Sequence, residues 1–390
     1  MRDRKRLWWI SLLVAASLIL VSLAGCGKGS QGQAPATGEQ QGAGGSAPAQ
    51  QTITLRFANY YAPESGPGKL GQEFCQDIER VTNGRVKIEY YPGGTLLTAP
   101  KMYDGVAQGI ADIGLANLSY TFGRFKQTEV LDLPLGFPNA WVAGHVAQDF
   151  LKQFQPKEWE QTHVLVLTST PANNVVTVNR PVRKLEDLKG LTLRGTGYIG
   201  KLVEALGATP RPVPMAEAYD NLTKKVIDGL MVNYETMIVF KLGEVTKYIT
   251  EAWPLGQVYT FYVVMNKDTW NKLPADIQEA ITKYVDEEFH EKMVNMWNEL
   301  GLKGLEYVQQ NGLEIIQLPP DEVQRWKQAA DRVVEDYVKS MVAAGYQESE
   351  VRGWIDFARQ RIDYWTKKQI ELGVKSDTGP AEVAVQKQLK

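Results

Sequence analysis

Asp187-Leu188-Lys189-Gly190-Leu191-Thr192-Leu193-Arg194-Gly195-Thr196-Gly197-Tyr198-Ile199-Gly200 is the stretch on which the fold turns. After the Lys189-Gly190 break, Leu191-Thr192-Leu193-Arg194 alternates apolar and polar side chains, which predicts a short strand. Residues 199–206 are spaced as a helix. Between them Gly195, Gly197 and Gly200 make a G-x-G-x-x-G, a dinucleotide-binding fingerprint when it joins a strand to a helix. Two features oppose that reading. Arg194 puts a charge at the carboxyl end of the strand. The acidic residues at about the right distance, Glu217 and Asp220, fall inside a predicted helix rather than at a strand tip. The turn keeps its physics all the same. Free backbone N–H groups and the positive end of a helix dipole attract anions. A guanidinium clasps a carboxylate through two parallel hydrogen bonds. Arg194, the turn and the helix start therefore read together as an anion trap.

Upstream, Ile53, Leu55 and Phe57 alternate as a strand, and Leu70, Phe74, Ile78 and Val81 recur at helical spacing until Asn83-Gly84 stops them. Val86, Ile88 and Tyr90 form a second strand before the turn Pro92-Gly93-Gly94. A helix from Thr98 to about Gly109 and a buried strand at 112–116 complete β-α-β-α-β, which argues for a parallel sheet. Residues 163–168 and 175–178 read as further strands. Downstream, a helix over 215–227 follows a Pro-rich strand, and 230–232 is a strand. The apolar, β-branched run at 259–265 has the length of a strand crossing between lobes. Helices follow at about 274–299, 321–344 and 348–371, and residues 376–390 read as a flexible tail. The fold class is α/β: a two-lobed, periplasmic-binding-protein-like fold with a hinge, a crossing strand and long C-terminal helices. Lobe I takes 53–172 plus about 260–300, and lobe II takes 173–259 plus about 301–375. Ligands bind off the carboxyl ends of strands in open α/β sheets, so two facing edges make a cleft.

The N-terminus sets the compartment. Arg2, Arg4, Lys5 and Arg6 precede an apolar run from Leu7 to Leu23, which ends in Leu23-Ala24-Gly25-Cys26. A basic start, an apolar middle and small residues read as a secretory signal over 1–25. Leu-Ala-Gly-Cys resembles the bacterial lipobox, in which Cys26 is acylated and becomes the first mature residue. Residues 26–52 carry that anchor and a Gly/Gln/Ser/Ala/Pro tether too poor in large apolar side chains to fold. The protein is thus expected outside the cytoplasm, lipid-anchored to the membrane, where free nicotinamide cofactors are scarce. The formal net charge of −2 removes any electrostatic case for nucleic acid. With Cys26 lipidated, Cys75 has no disulfide partner and reads as a small buried hydrophobe. His145, His163 and His290 lie far apart in sequence, and no zinc motif or nucleophile elbow is visible. That argues against an enzyme.

Several segments then point one way: Thr54-Leu55-Arg56-Phe57-Ala58, Thr82-Asn83-Gly84-Arg85-Val86, Tyr91-Pro92-Gly93-Gly94, Gly109-Ile110-Ala111-Asp112-Ile113-Gly114, Leu133-Pro134-Leu135, the run 187–194, Pro214-Met215-Ala216-Glu217-Ala218-Tyr219, Ile227-Asp228-Gly229 and Leu273-Pro274-Ala275-Asp276-Ile277-Gln278. In that order, over about residues 52–345, the chain resembles the solute receptors of tripartite ATP-independent periplasmic (TRAP) transporters. The resemblance implies two α/β lobes, a long helix bracing both, and delivery of a small organic acid to a cation-driven permease. It implies that Arg194 binds the ligand carboxylate, with Tyr60, Asn117 and Met215 lining the cleft. The chain departs from the family at Asn174, which stands where sugar-acid receptors often carry arginine. The usual asparagine contact falls at Val232 or Asn233, and Lys225 replaces a common glycine. With Tyr61, Tyr120 and Tyr198 added, the expected pocket is apolar and rich in aromatic rings, suited to a monocarboxylate with an apolar or aromatic body or to a longer diacid. No cofactor is expected, although some receptors of this kind hold their acid through a bridging cation, for which Glu235 is the candidate ligand. Two other readings stay open: an ABC-type or sensory binding protein for an organic anion, which a neighbouring ATPase would favour, and an extracellular enzyme, which requires a nucleophile, metal or bound cofactor.

Overall fold

The computed structural model describes residues 52–387. The signal segment, Cys26 and the tether before residue 52 lie outside the described residues, as do 388–390. In chain order the strands are β1 (Ile53–Asn59), β2 (Val86–Tyr91), β3 (Ile113–Asn117), β4 (Thr162–Ser169), β5 (Asn174–Thr177), β6 (Thr192–Arg194), β7 (Thr209–Arg211), β8 (Gly229–Val232), β9 (Tyr248–Thr250), β10 (Thr260–Asn266) and β11 (Glu314–Ile316). They form two sheets, ordered β2-β1-β3-β10-β4 and β11-β9-β5-β8-β6-β7.

The expected parallel unit is present, with β1 paired in parallel to both β2 and β3. The helix Gly66–Val81 between them starts where its sequence says it should. Ser65 Oγ accepts from Gly68 N at 3.2 Å, and Pro67 occupies the first turn, where a missing N–H does no harm. Asn83 and Gly84, at φ 52° and 75°, end it in the left-handed region.

The crossing strand is a correction. β10 lies wholly inside the first sheet, antiparallel to β3 on one side and β4 on the other. All its residues are buried, so its unbroken apolar run marks burial on both faces rather than passage between lobes. The passage is made by two antiparallel segments beside it. Thr170 N donates to Tyr259 O at 3.1 Å, and Asn173 N donates to Gln257 O at 2.9 Å. The helix over 215–227 is also shorter than expected: a 3-10 turn Met215–Glu217 leads into Ala218–Thr223. It stops because Lys225 takes φ 56°, a conformation that favours glycine.

The bracing helix is present and long. Ala275–Tyr284 continues through a π-helical turn, Val285–Phe289, into His290–Gln310. Met293, Val294 and Trp297 enter the core beneath the first sheet, while Leu305 and Val308 enter the apolar cluster of the second. Gly304 permits this second contact, since a Cβ there would fall 2.3 Å from Tyr234 O.

Two assignments near the C-terminus are revised. Pro320–Ala343 packs on the second-lobe helix Gly197–Ala205. Glu348–Leu372, expected in the second lobe, instead covers the first-lobe helix Ala140–Phe154. There Trp365 meets Trp141 at 5.6 Å and Phe357 meets Phe154 at 5.1 Å. The tail beyond 375, read as flexible from its polar composition, is packed as far as residue 387. Ser376, Asp377 and Thr378 are buried. Asn139 Nδ2 donates to Gln369 Oε1, Ser376 Oγ and Thr378 O at 2.9–3.2 Å. Lys387 pairs with the buried Glu251. A specific hydrogen-bond network holds this segment, and composition alone does not reveal one.

Candidate functional site

The carboxyl ends of four strands converge. β1 delivers Tyr60 and Tyr61, β3 delivers Asn117 and the following Tyr120, β6 delivers Arg194, and β8 delivers Asn233 and Glu235. Met215, Thr170 and Tyr259 close the ring around a narrow cavity.

The lobes meet across this cavity. Ser119 Oγ, from the first lobe, lies 2.7 Å from Thr196 Oγ1 of the second, and Met215 N donates to Tyr120 Oη at 3.1 Å. Phe122 packs edge-on to Tyr198 at 5.0 Å. This is a closed cleft.

Arg194 is 2% exposed. Its Nε donates to Val213 O at 2.9 Å, its Nη1 donates to Tyr259 Oη at 2.5 Å, and the guanidinium stands 5.3 Å over the Tyr259 ring. Among the described residues no carboxylate pairs with it. A buried cation is expensive unless a counter-charge meets it. The walls are aromatic: Tyr60 stacks on Tyr61 at 4.4 Å, Tyr120 meets Tyr60 edge-on at 6.0 Å, and Phe240 lies 5.6 Å from Tyr61. Burial raises the phenol pKa of Tyr60, Tyr61 and Tyr120, so these groups stay neutral. Glu235 is also 2% exposed, and burial lifts its carboxyl pKa to about 8.

Of the expected site residues, the structure brings Tyr60, Asn117, Tyr120, Arg194, Met215, Asn233 and Glu235 into one lining. Two fall elsewhere. Asn174 lies outside the cavity, beside the passage between lobes, where its Oδ1 accepts from Ala252 N at 3.1 Å. Tyr198 faces a separate hollow, packed against Phe122 and Tyr337. The glycine turn does not line the cavity either, so the anion trap reduces to the guanidinium and the phenols around it. The glycines serve closure and packing. Gly197 holds φ 56°, and a Cβ there would lie 2.9 Å from Ser119 Cβ. Cβ atoms on Gly195 and Gly200 would each press on the other's backbone, at 3.0 and 2.9 Å. The lining residues missed from sequence are chiefly Thr170, Phe240, Tyr259 and Phe261. Tyr259 and Phe261 sit at the mouth of β10, where an apolar run conceals any functional signal.

Away from the cleft, His145 and His290, far apart in sequence, come within 5.4 Å ring to ring beside Glu291. Trp141 O and Gly144 O occupy one nitrogen of each ring. Among the described residues no helix is long and apolar enough to cross a membrane.

Comparison with known proteins places this geometry among others. The model of bacterial extracellular solute-binding protein family 7, DctP, matches residues 57–340. The C4-dicarboxylate-binding periplasmic protein DctP of Rhodobacter capsulatus is 27% identical over 243 residues, covering 61% of this chain and 72% of the relative. A TRAP periplasmic solute-binding protein from Desulfovibrio salexigens, solved as an open complex, is 32% identical with TM-score 0.68, covering 79% of this chain and 95% of that one. A TRAP solute-binding protein from Rhodoferax ferrireducens, solved with copurified benzoate, is 27% identical with TM-score 0.75, covering 81% and 99%.

Proposed function

The chain belongs to bacterial extracellular solute-binding protein family 7, the receptors of TRAP transporters, and from that premise we propose that its cleft holds an acid of aromatic or otherwise apolar body by a single carboxylate on Arg194. As a TRAP-type receptor it captures a small organic acid outside the cytoplasm and delivers it to a membrane permease. The finer reading rests on one observation: a guanidinium 2% exposed, without a carboxylate partner, inside a cavity walled by tyrosine and phenylalanine rings. The benzoate held by the Rhodoferax relative is an acid of this type. Asn174, turned to the hinge, offers no second cation for a dianion.

Binding and closure reinforce each other. The carboxylate neutralises Arg194, and exclusion of water strengthens the pair because the local dielectric falls. The ligand shifts the open–closed equilibrium by its differential affinity for the two forms. We hold the contact to be direct. Glu235 is the one carboxylate among the lining residues, and a divalent cation beside the unpaired Arg194 would add buried charge that one carboxylate cannot balance. The family is one of binding proteins, and we read this chain as a receptor rather than an enzyme on that ground. Acylation of Cys26 would tether it beside its permease.

The test is thermal melting of residues 53–390, stripped of ligand by unfolding and refolding, against a panel of organic acids. Ligand at a hundredfold excess over Kd adds about 2.7 kcal/mol. Aromatic monocarboxylates should raise Tm by several degrees, and Arg194→Ala should abolish the shift. A shift only with dicarboxylates, or one that survives Arg194→Ala, would sink the assignment.

A further inference from the structure

Glu235 lines the same cavity as Arg194, yet no structural role accounts for it. It directly precedes the short helix Thr236–Val239, but its side chain makes no capping bond. Its Oε2 is buried without a hydrogen-bond partner, and burial is the one influence on its carboxyl. Neither Arg194 nor Glu235 neutralises the other. Asn233, two residues earlier, repeats the pattern. Its Nδ2 donates to Pro171 O at 3.3 Å, while its Oδ1 is buried and unpaired. Buried polar atoms are nearly always satisfied, and an acceptor left without a donor is destabilising. Two such oxygens on one loop, both belonging to residues that line a ligand cavity, mark a place where the ligand supplies what the protein lacks.

We propose that Glu235 and Asn233 form a second ligand subsite that accepts a hydrogen bond, so that the natural ligand is an acid carrying a hydroxyl or ammonium group besides its carboxylate. This rests on the reading of Arg194 as the carboxylate anchor. The two donors differ in what they ask of Glu235. The titratable groups facing it are the Tyr60 and Tyr61 phenols, held neutral chiefly by burial. With its own pKa lifted to about 8, Glu235 is protonated at neutral pH in the closed cleft. A hydroxyl donates to the neutral acid and leaves that proton in place. An ammonium pairs with the carboxylate and expels the proton into the buffer. The aromatic rings around the cavity suit either donor and add cation–π attraction to the second.

Two matched series separate the possibilities by calorimetry. One is phenylacetate, mandelate, phenylglycine and phenylmalonate. The other is benzoate, 3-hydroxybenzoate, 3-(aminomethyl)benzoate and isophthalate. In at least one series a donor-bearing acid should bind roughly 10- to 100-fold more tightly than its parent. Glu235→Met should bring that acid to the parent's affinity. Glu235→Gln should keep the preference for a hydroxyl and lose it for an ammonium, and only the ammonium should show proton release between buffers of different ionisation enthalpy. Ligand-free melting of both variants at or above the wild-type Tm establishes that they fold. Equal affinity across both series, a preference that survives Glu235→Met, or tightest binding of a diacid overturns the subsite and leaves the Arg194 anchor standing. Failure of every acid to bind wild-type protein overturns the anchor itself, and the subsite with it.

Discussion

Replacing Gly197 by alanine separates closure from folding. Two penalties act at this position, and they fall on different states. The residue holds φ 56°, which a Cβ disfavours by about 1 kcal/mol whether the lobes are open or closed. The second penalty exists only when the lobes meet. The new Cβ would stand 2.9 Å from Ser119 Cβ and 3.2 Å from Ser119 Cα, closer than carbon atoms pack. Relief requires the two loops to part, which strains the 2.7 Å contact between Ser119 and Thr196. Overpacking of this kind costs about 1–3 kcal/mol. Because that term weighs on the closed form alone, it should weaken ligand binding roughly 5- to 150-fold. Titration calorimetry with the best acid gives the affinity, and ligand-free melting gives the shared term. The expected result is a large loss of affinity beside a small fall in Tm. Unchanged affinity would refute the idea that the glycine turn is kept for lobe closure. A large fall in Tm beside unchanged affinity would show that the clash burdens the open form equally.

Other outcomes follow from the same geometry. Arg194→Met should weaken binding of the best acid by about 2–5 kcal/mol in calorimetry while the ligand-free protein melts no lower, because a buried cation has been removed. Lys225→Gly should raise stability by about 1 kcal/mol in denaturant titration, since an exposed lysine at φ 56° gives way to the residue that tolerates it; a loss would refute the strain. Asn139→Ala should cost about 2–4 kcal/mol, because it removes the cap of the helix Ala140–Phe154 and unpairs the tail network; a loss below half that would mean the tail holds itself. Burial raises the carboxyls of Asp132 to about 7 and of Glu129 and Glu235 to about 8. The folded state therefore binds protons that the unfolded chain has released, and stability falls as pH rises towards 8. His163 and His290, lowered to about 4 by burial, act in the opposite sense, but only below about pH 6.5. The Tm should thus drop between pH 6.5 and 8; a flat profile would count against these burials.

Much of this was legible in the chain, for identifiable reasons. Strands with one face in the core alternate, so β1 and β2 declare themselves, and Asn83-Gly84 announces a helix end through backbone sterics. Arg194 stood out because a charge at a strand end beside a glycine turn has few structural uses. The β10 run gave no such handle. A strand buried on both faces loses its alternation, and with it any sign of which neighbours it pairs with or that Tyr259 and Phe261 open onto the cavity. Asn174 and Tyr198 were drawn to the site by position and residue type, yet the hinge and the interlobe hollow use the same chemistry. The tail misled for another reason. Its stability rests on Asn139, Gln369 and Ser376 finding one another across more than 200 positions, as the Asn139 bonds span 230 and 237 residues.

The place of β10 also governs the order in which this chain can take shape. Between β3 and β4 the first sheet has a vacancy that only residues 260–266 can fill. Whatever emerges first on the far side of a membrane cannot complete its own sheet until the whole second-lobe segment has followed. Strands β5 to β9, by contrast, lie close together in sequence and need only the edge strand β11 from later in the chain. Long-range pairing of this kind is slow, because the loop must close before the contacts reward it. The half of the molecule that is translated first must thus wait for most of the other half, and an exported chain must stay unfolded long enough for its own middle to arrive.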